Sequence, residues 1–347
     1  MKPKVLLTGA GGNIGYATLQ ELLKTNKYDI TVFDLKSGRN KRKLKPLKDK
    51  IRIIYGDISE KRDLLPAIID QDYIIHLAAV IPPFADDYPP IAYKVNTLGT
   101  QNLVELAEMF APNAFLIYSS SVAIYGDRLD NPHIKTSDQL KPSEGDQYAK
   151  TKILAEKIIR KSKLTWTIFR LSAIFGIKNH KIGKILFHMP LETPMEITTV
   201  DDTARAFVKA LEHKDDLTGK IFNLGGGEKC RILYREFLER SFRIYGLGKL
   251  DFPPEAFARA NFHCGYYADG DILENILHFR HDTIESYFEQ VEKGIGKTQK
   301  ILTRSVHKTV KDILLKKSEP MKALKEKNHE MIRRFFGKKA NLQQINE

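Results

Sequence analysis

Cysteine is nearly missing from this chain, and its scarcity excludes the small disulfide-stapled folds. Cys230 and Cys264 are the only two in 347 residues, too few for a disulfide framework or a zinc cluster, and they fit a reducing compartment. No other group of residues has the spacing of metal ligands, so no metal is expected. No apolar run approaches the roughly 20 residues of a membrane-spanning helix. Met1-Lys2-Pro3-Lys4 leads straight into the apolar run Val5-Leu6-Leu7, so no secretory leader is expected. What remains is the composition of a soluble, cytoplasmic, globular protein, with 42% hydrophobic and 29% charged residues. The length allows one large or two small domains with a substantial buried core.

Acidic residues are scarce in one region only. From Lys293 to Glu347, fifteen Lys/Arg stand against five Asp/Glu, so this segment carries +10 of the formal +13 and the preceding body only +3. Its pattern predicts two basic helices over Lys297 to Gly337, split near Ser318-Glu319-Pro320. Leu302, Val306, Val310 and Ile313 fall on one apolar face, and Leu324, Met331 and Phe335 on another. Three uses compete: a helical hairpin packed on the body, a peripheral contact with anionic lipid, or a contact with a protein or nucleic acid. With no tyrosine or tryptophan and no arginine cluster beyond Arg333-Arg334, a specific nucleic-acid module is not expected.

Ahead of this tail, short apolar runs alternate with helical patterns. Val5 to Thr8, Asp29 to Asp34, Ile51 to Tyr55, Tyr73 to Leu77, Ala114 to Ser119 and Thr165 to Arg170 read as strands. Asn13 to Lys24, Leu64 to Ile69, Val95 to Met109 and Tyr148 to Lys161 read as helices. Such alternation predicts an α/β fold, a Rossmann-type doubly wound parallel sheet. The pattern loosens after Gly176, which suggests a nucleotide-binding domain over 1–176, a smaller substrate-binding lobe over 177–292 with 197–225 returning to the main sheet, and a basic helical extension over 293–347.

Gly9, Gly12 and Gly15 form a Gly-x-x-Gly-x-x-Gly turn between the first strand and helix, with Asn13 and Ile14 opening the helix. Glycine lets backbone approach a pyrophosphate, and a helix N-terminus offers free N–H groups. Asp34 ends the second strand, where a carboxylate accepts hydrogen bonds from the adenosine ribose and repels a 2′-phosphate; this favours NAD over NADP. Lys36, Arg39, Lys41, Arg42 and Lys43 follow it, most of them suited to a solvated basic loop. Ala78 and Ala79, small residues after the fourth strand, permit close packing of a cofactor, and His76 reads as a packed structural histidine. Tyr148 and Lys152 stand four apart, on one face of a helix. An ammonium near a phenol favours the phenolate, which makes Tyr148 a usable general acid or base.

Together these pieces resemble the extended short-chain dehydrogenase/reductases, the NAD-dependent epimerase/dehydratase family. The resemblance runs over about 1–290 and includes Thr8 to Gly15, Gly56-Asp57, Asn96 to Thr100, Ser119 to Asp127, Tyr148 to Lys152, Val200-Asp201-Asp202 and Phe222 to Gly227. It implies that Tyr148 moves the proton, that Lys152 holds the nicotinamide ribose and lowers the Tyr148 pKa, and that Ser121 hydrogen-bonds the reacting oxygen. It also implies that Asp57 and Ile58 approach the adenine, that Asn96 lies near the cofactor, and that the protein is a homodimer. Val122 and Ala123 stand where dehydratases of the family carry an acid, which disfavours dehydration. The implied reaction is C4 epimerisation of a nucleotide sugar. Its competitor is net oxidation or reduction of a smaller alcohol or ketone, because Glu192 to Thr199 holds no arginine for a diphosphate. Lys178, Lys181, Lys184 or Arg231 are left to bind that anion, Arg231 foremost. A non-catalytic NAD-binding subunit docked through its tail is a third reading. The segments Pro82 to Phe84 and Phe262 to Tyr267 are candidates to line the substrate pocket.

Overall fold

Runs of branched and aromatic residues, each four to seven long, build a central sheet. The computed structural model describes residues 1–176 and 183–337. In it β1 (Lys4–Thr8), β2 (Asp29–Asp34), β3 (Arg52–Tyr55), β4 (Tyr73–His76), β5 (Phe115–Ser121), β7 (Thr165–Leu171) and β10 (Lys220–Leu224) pair in the order β10-β7-β5-β4-β1-β2-β3. All six pairings are parallel. Strand order reverses between β1 and β4. In doubly wound sheets a ligand crevice opens at such a point, beyond the carboxyl ends of the strands. Gly9 follows β1 there and Leu77 to Ala79 follow β4.

Side chains alternate across the sheet, so β1 feeds both layers. Val5 and Leu7 pack with Leu19 and Leu22 of α1 (Asn13–Thr25) and with Phe207 of a later helix. Leu6 packs on the opposite face with Leu64 of α3 (Lys61–Ile68), Leu103 of α4 (Gly99–Phe110) and Ile159 of α5 (Gln147–Lys161). The short helix α2 (Gly38–Leu44) follows β2. The long helix predicted from Val95 begins with a wide π-type turn, Tyr93–Leu98, and becomes regular at Gly99. There a Cβ would lie 2.6 Å from the Ile58 side chain, so glycine is required for the close approach.

The second lobe is built around a three-stranded sheet of β8 (Ala173–Phe175), β9 (Pro194–Thr199) and β11 (Arg231–Leu233). A two-stranded pair joins β6 (His133–Ile134) to β12 (Tyr266–Tyr267). Of the segment 197–225, only β10 lies in the main sheet; Ile197 to Thr199 pair with β8 instead, and α6 (Val200–Lys209) packs on α1. An aromatic core of Phe187, Phe237, Tyr287 and Phe288 unites the lobe with α7 (Tyr234–Tyr245) and α8 (Ile284–Gly294).

The basic extension differs from its sequence pattern. Its described residues form four short helices, not two: α9 (Lys297–Ser305), α10 (His307–Leu315), α11 (Glu319–Lys325) and α12 (His329–Phe336). The break at Ser318 falls where the pattern places it, with Ser318 capping α11 and Pro320 in its first turn. A further break at Val306 disrupts the first apolar stripe. Val310 packs on the aromatic core, while Leu302, Val306 and Ile313 are exposed. The second stripe does pack: Leu324, Met331 and Phe335 gather with Ala258, Ile332 and Phe336. Phe335 O accepts hydrogen bonds from the N–H groups of Arg259 and Ala260 (2.7 and 3.1 Å), and Arg333 pairs with Glu144 at 2.7 Å.

His76 shows how the switch point is held. Its ring is fully buried, with Nδ1 2.8 Å from Thr8 Oγ1 and Nε2 3.0 Å from Thr100 Oγ1. Thr100 Oγ1 donates to Asn96 O, so it accepts from Nε2–H, and Nδ1 accepts from Thr8. The imidazole is thereby neutral, and burial pushes its pKa down to about 3. Replacing it as His76→Phe should destabilise the protein by about 2–3 kcal/mol in denaturant melts at neutral pH, because two buried hydroxyls lose a partner. Below pH 6.5 an unfolded histidine binds a proton that folded His76 refuses until about pH 3, so wild-type stability is lost as the pH is lowered through that window. The variant should lack that share of the acid sensitivity.

Candidate active site

Helix α5 carries three polar side chains at successive i+4 positions, Tyr148, Lys152 and Glu156, so one stripe faces the sheet. Its N-terminus is fixed twice. Asp146 Oδ1 accepts from Ala149 N at 2.7 Å, and Asp86 Oδ1 accepts from Gln147 N and Tyr148 N at 2.9 and 3.2 Å. Opposite the stripe, β5 ends in Ser119-Ser120-Ser121. The Ser121 hydroxyl accepts from Ala123 N at 3.2 Å and lies near enough to the Tyr148 phenol to favour its ionisation. Lys152 is 2% exposed; its Nζ donates to Ser119 O at 2.6 Å and lies 4.5 Å from the Tyr118 ring centroid. Ser121, Tyr148 and Lys152 are therefore brought together at the carboxyl end of β5.

The electrostatics of this trio differ from expectation. Burial pushes the Tyr148 phenol well above its ordinary value. The Ser121 hydroxyl pulls it back in part, while Asp146 and Asp86 raise it further. Lys152 does not exert the downward pull that its spacing predicts: its ammonium is 5.8 Å from the Tyr148 ring centroid and tied to a carbonyl. Burial also lowers Lys152 itself to about 7, against the opposing attraction of Glu156.

Glu156 belongs to no motif that singles it out, yet it anchors the stripe. It receives Arg170 of β7 in a bidentate pair, Nε to Oε1 at 3.0 Å and Nη2 to Oε2 at 2.8 Å, with side chains 2% and 3% exposed. Arg170 Nη1 also donates to Tyr125 OH at 2.8 Å and Thr136 O at 3.0 Å. Tyr125 donates to Asn223 Oδ1 at 2.7 Å, and Asn223 Nδ2 to Asp269 at 2.7 Å. The turn after Ser121, the helix of Tyr148 and strand β10 are thus one hydrogen-bonded unit. The i+4 continuation from Lys152 is its only signal in the sequence.

At the switch point, Gly9 has φ +76, and a Cβ on it would lie 2.7 Å from Ala78 N; one on Gly15 would lie 2.1 Å from Gly9 O. Helix α1 begins at Gly12 without a side-chain cap and with no acidic residue in its first turn, so its first N–H groups face outward at Asn13 and Ile14. This cradle fits a pyrophosphate. Asp34 Oδ2 accepts from Gly11 N at 2.5 Å, and Oδ1 from Leu35 N at 2.7 Å and Asn40 Nδ2 at 2.8 Å. Burial raises the Asp34 pKa against these bonds. Lys36, Arg39, Lys41 and Arg42 are exposed, whereas Lys43 folds back, donating to Gly11 O and Gly12 O at 3.1 and 3.0 Å. Asp57 lies beyond β3, its Oδ1 taken by Ser59 N and Oγ at 2.9 and 2.7 Å. Burial opposes its ionisation, but these bonds and Lys94 hold its pKa below the usual range. Ile58 is buried beside α4.

Two of the contacts expected from the sequence are reassigned. Asn96 is 1% exposed and clamps Val80, its Oδ1 accepting from Val80 N at 2.7 Å. Its Nδ2 donates to Val80 O at 2.9 Å and Thr151 Oγ1 at 3.0 Å, which leaves it no free N–H for a cofactor. Arg231 is tied to the fully buried Glu196 (Nε to Oε2, 3.1 Å) and to Tyr267 O (3.0 Å), over the Tyr266 ring. Glu196 also accepts from Gly227 N and Tyr267 N, so Arg231 closes a structural hub and has its charge paired within the chain. Lys184 pairs with Asp87 at 2.7 Å and Glu319 at 3.2 Å. Lys178 and Lys181 lie outside the described residues. Phe262 and His263 stack at 4.6 Å, and His263 Nδ1 lies 3.1 Å from Asp146 Oδ2, beside the start of α5; Phe84 is exposed. Among the described residues no cluster of three or more His, Cys, Asp or Glu could hold a metal.

A sequence model of the NAD dependent epimerase/dehydratase family matches residues 5–225. The human sterol-4-alpha-carboxylate 3-dehydrogenase, decarboxylating, is 26% identical over 253 residues, covering 67% of this chain and 64% of that enzyme. D-erythronate dehydrogenase of Haemophilus influenzae is 28% identical over 49% of this chain and 55% of its own length. Among solved structures, the UDP-glucuronic acid 4-epimerase of Bacillus cereus with UDP-glucuronic acid and NAD superposes at TM-score 0.67. It is 21% identical and covers 84% of this chain and 100% of its own. A dTDP-glucose 4,6-dehydratase of Streptomyces venezuelae superposes at 0.70 with 22% identity, over 84% and 96% of the two chains.

Two outcomes test the geometry. Glu156→Gln leaves Arg170 buried with a weakened partner and should cost about 3–5 kcal/mol of stability in denaturant melts. Lys152→Met should change the pH profile of stability. Between pH 7 and 10.5 the unfolded chain holds a proton that folded Lys152 has released, so wild-type stability rises with pH across that window. Thermal melts of the variant should show a flatter rise.

Proposed function

Because the chain belongs to the NAD-dependent epimerase/dehydratase family, we propose that it catalyses net oxidation of a secondary alcohol, or reduction of the matching ketone. Bound NAD would accept or supply the hydride. Gly9, Gly12, Asn13, Ile14 and Gly15 would receive its pyrophosphate, Asp34 the adenosine ribose, Asp57 and Ile58 the adenine, and Lys152 the nicotinamide ribose, with Ala78 and Ala79 against the crevice wall. Ser121 would hold the substrate oxygen beside the Tyr148 hydroxyl. Neutral Tyr148, its pKa raised by burial, is ready to donate a proton to a reduced carbonyl. In the oxidative direction it must first release that proton, so alkaline pH would favour oxidation.

The observation that supports the net reaction is that the two described candidate cations on the substrate side already pair with carboxylates. Arg231 is bound to Glu196, and Lys184 to Asp87 and Glu319. Part of the charge of Arg231 is already satisfied by a buried carboxylate, which weakens its pull on a nucleotide diphosphate. The relatives named as dehydrogenases of a sterol carboxylate and of D-erythronate support the same direction. C4 epimerisation of a nucleotide sugar is the second reading, favoured by the shared fold of the Bacillus cereus epimerase.

Cofactor retention separates the two. The purified protein is desalted and denatured, and released NAD(H) is quantified. Little retained cofactor, with nicotinamide reduction proportional to alcohol consumed, is the expected result. Near-stoichiometric retained NAD(H) without net NADH formation would overturn it in favour of epimerisation. Tyr148→Phe should lower kcat by about 10²- to 10⁴-fold while cofactor affinity is kept. Unchanged turnover would return the protein to the role of a non-catalytic NAD-binding subunit.

A further inference from the structure

The groove between the end of α7 and helix α9 lies outside the site described above. Its volume is about 1040 Å³. Arg243 and Lys249 line one side, Lys300, Arg304 and His307 the other, and Glu239 is its one acidic lining residue. Gly246, at φ +79, brings the two walls together: a Cβ there would lie 2.6 Å from Lys300 O. Lys300 reaches Glu292 at 3.1 Å, but among the described residues no carboxylate lies within ion-pair distance of Arg243, Lys249 or Arg304. Apart from Glu239 and the Glu292 partner of Lys300, like charges are therefore gathered along a concave surface with no ion-pair partner among the described residues.

Beside the groove α9, the break at Val306 and α10 present apolar side chains to solvent. Ile301 is 68% exposed, Leu302 62%, Val306 50% and Ile313 52%. Among the described residues no helix is long and apolar enough to cross a membrane. A cationic groove edged by protruding aliphatic side chains matches a surface that is anionic outside and apolar just beneath.

We propose that α9, α10 and the groove form a docking surface for a bilayer bearing anionic phospholipid. Arg243, Lys249, Lys300 and Arg304 engage headgroup phosphates, while Ile301, Leu302, Val306 and Ile313 enter the acyl boundary. A nucleic acid would meet the cations but leave the aliphatic side chains without a partner, and α9 and α10 carry no phenylalanine, tyrosine or tryptophan on which bases could stack.

Sedimentation of the full-length protein with vesicles tests this. One set is phosphatidylcholine alone, the other equimolar phosphatidylcholine and phosphatidylglycerol. The expected result is binding to the anionic set, weakened by added salt, and little binding to the neutral set. Lys249→Glu with Arg304→Glu should weaken partitioning by at least about tenfold, as expected for two basic residues at a charged membrane surface. Ile301→Ser with Leu302→Ser should weaken it as well, with the far-UV spectrum and melting temperature of both variants unchanged. Equal binding to neutral vesicles, binding indifferent to both pairs, full displacement from vesicles by millimolar inorganic phosphate, or tighter capture by a short DNA duplex would each overturn the proposal.

Discussion

The buried pair of Arg170 and Glu156 is the constraint on which the geometry of the candidate site depends. Two charges out of water are tolerable only when their geometry is good and their remaining hydrogen-bonding capacity is used. Here the guanidinium binds both carboxylate oxygens and continues into Tyr125, Asn223 and Asp269. Because Glu156 sits two turns beyond Tyr148 on one helix, and Tyr125 four residues beyond Ser121, the pair sets the separation of the two groups that would share a substrate oxygen. A hydrophobic substitute of equal volume would fill the space without fixing that distance.

Around this pair, burial selects the charge state of each neighbour. His76 is neutral between two threonine hydroxyls, Tyr148 holds its proton, and Lys152 has lost much of an ammonium's usual reluctance to deprotonate. The site therefore carries little fixed charge of its own. Such a site suits chemistry in which a proton and a hydride leave or arrive together, with no lasting ion to be solvated.

What was legible in the sequence was local. The glycine turn, Asp34 and the Tyr148–Lys152 spacing each lie within one element or at its end, and the alternation of apolar runs follows directly from burial on both faces of a parallel sheet. What was not legible depended on partners far along the chain. Arg231 looked like a free cation because Glu196, 35 residues away, is brought to it only by the pairing of β9 with β11. Asn96 looked placed for a cofactor because its clamp on Val80 arises from the turn after β4. Lys43 was hidden in a basic run whose other members stay in solvent. In the tail, the break at Val306 rotated an apolar stripe outward, which periodicity assumed continuous could not show.

The contact of Arg333 with Glu144 spans 189 residues, and Arg334 lies against Gly145, immediately before the aspartate that caps α5. Sheet strands β1 to β5 and their helices can assemble while the rest of the chain is still being made. The loop that steadies Tyr148 cannot, because part of its support is among the last described helical residues to emerge during synthesis. A partly synthesised chain could thus hold the parallel sheet well before it holds an ordered Tyr148. The order of the loop around Tyr148 is in this way tied to the synthesis of α12.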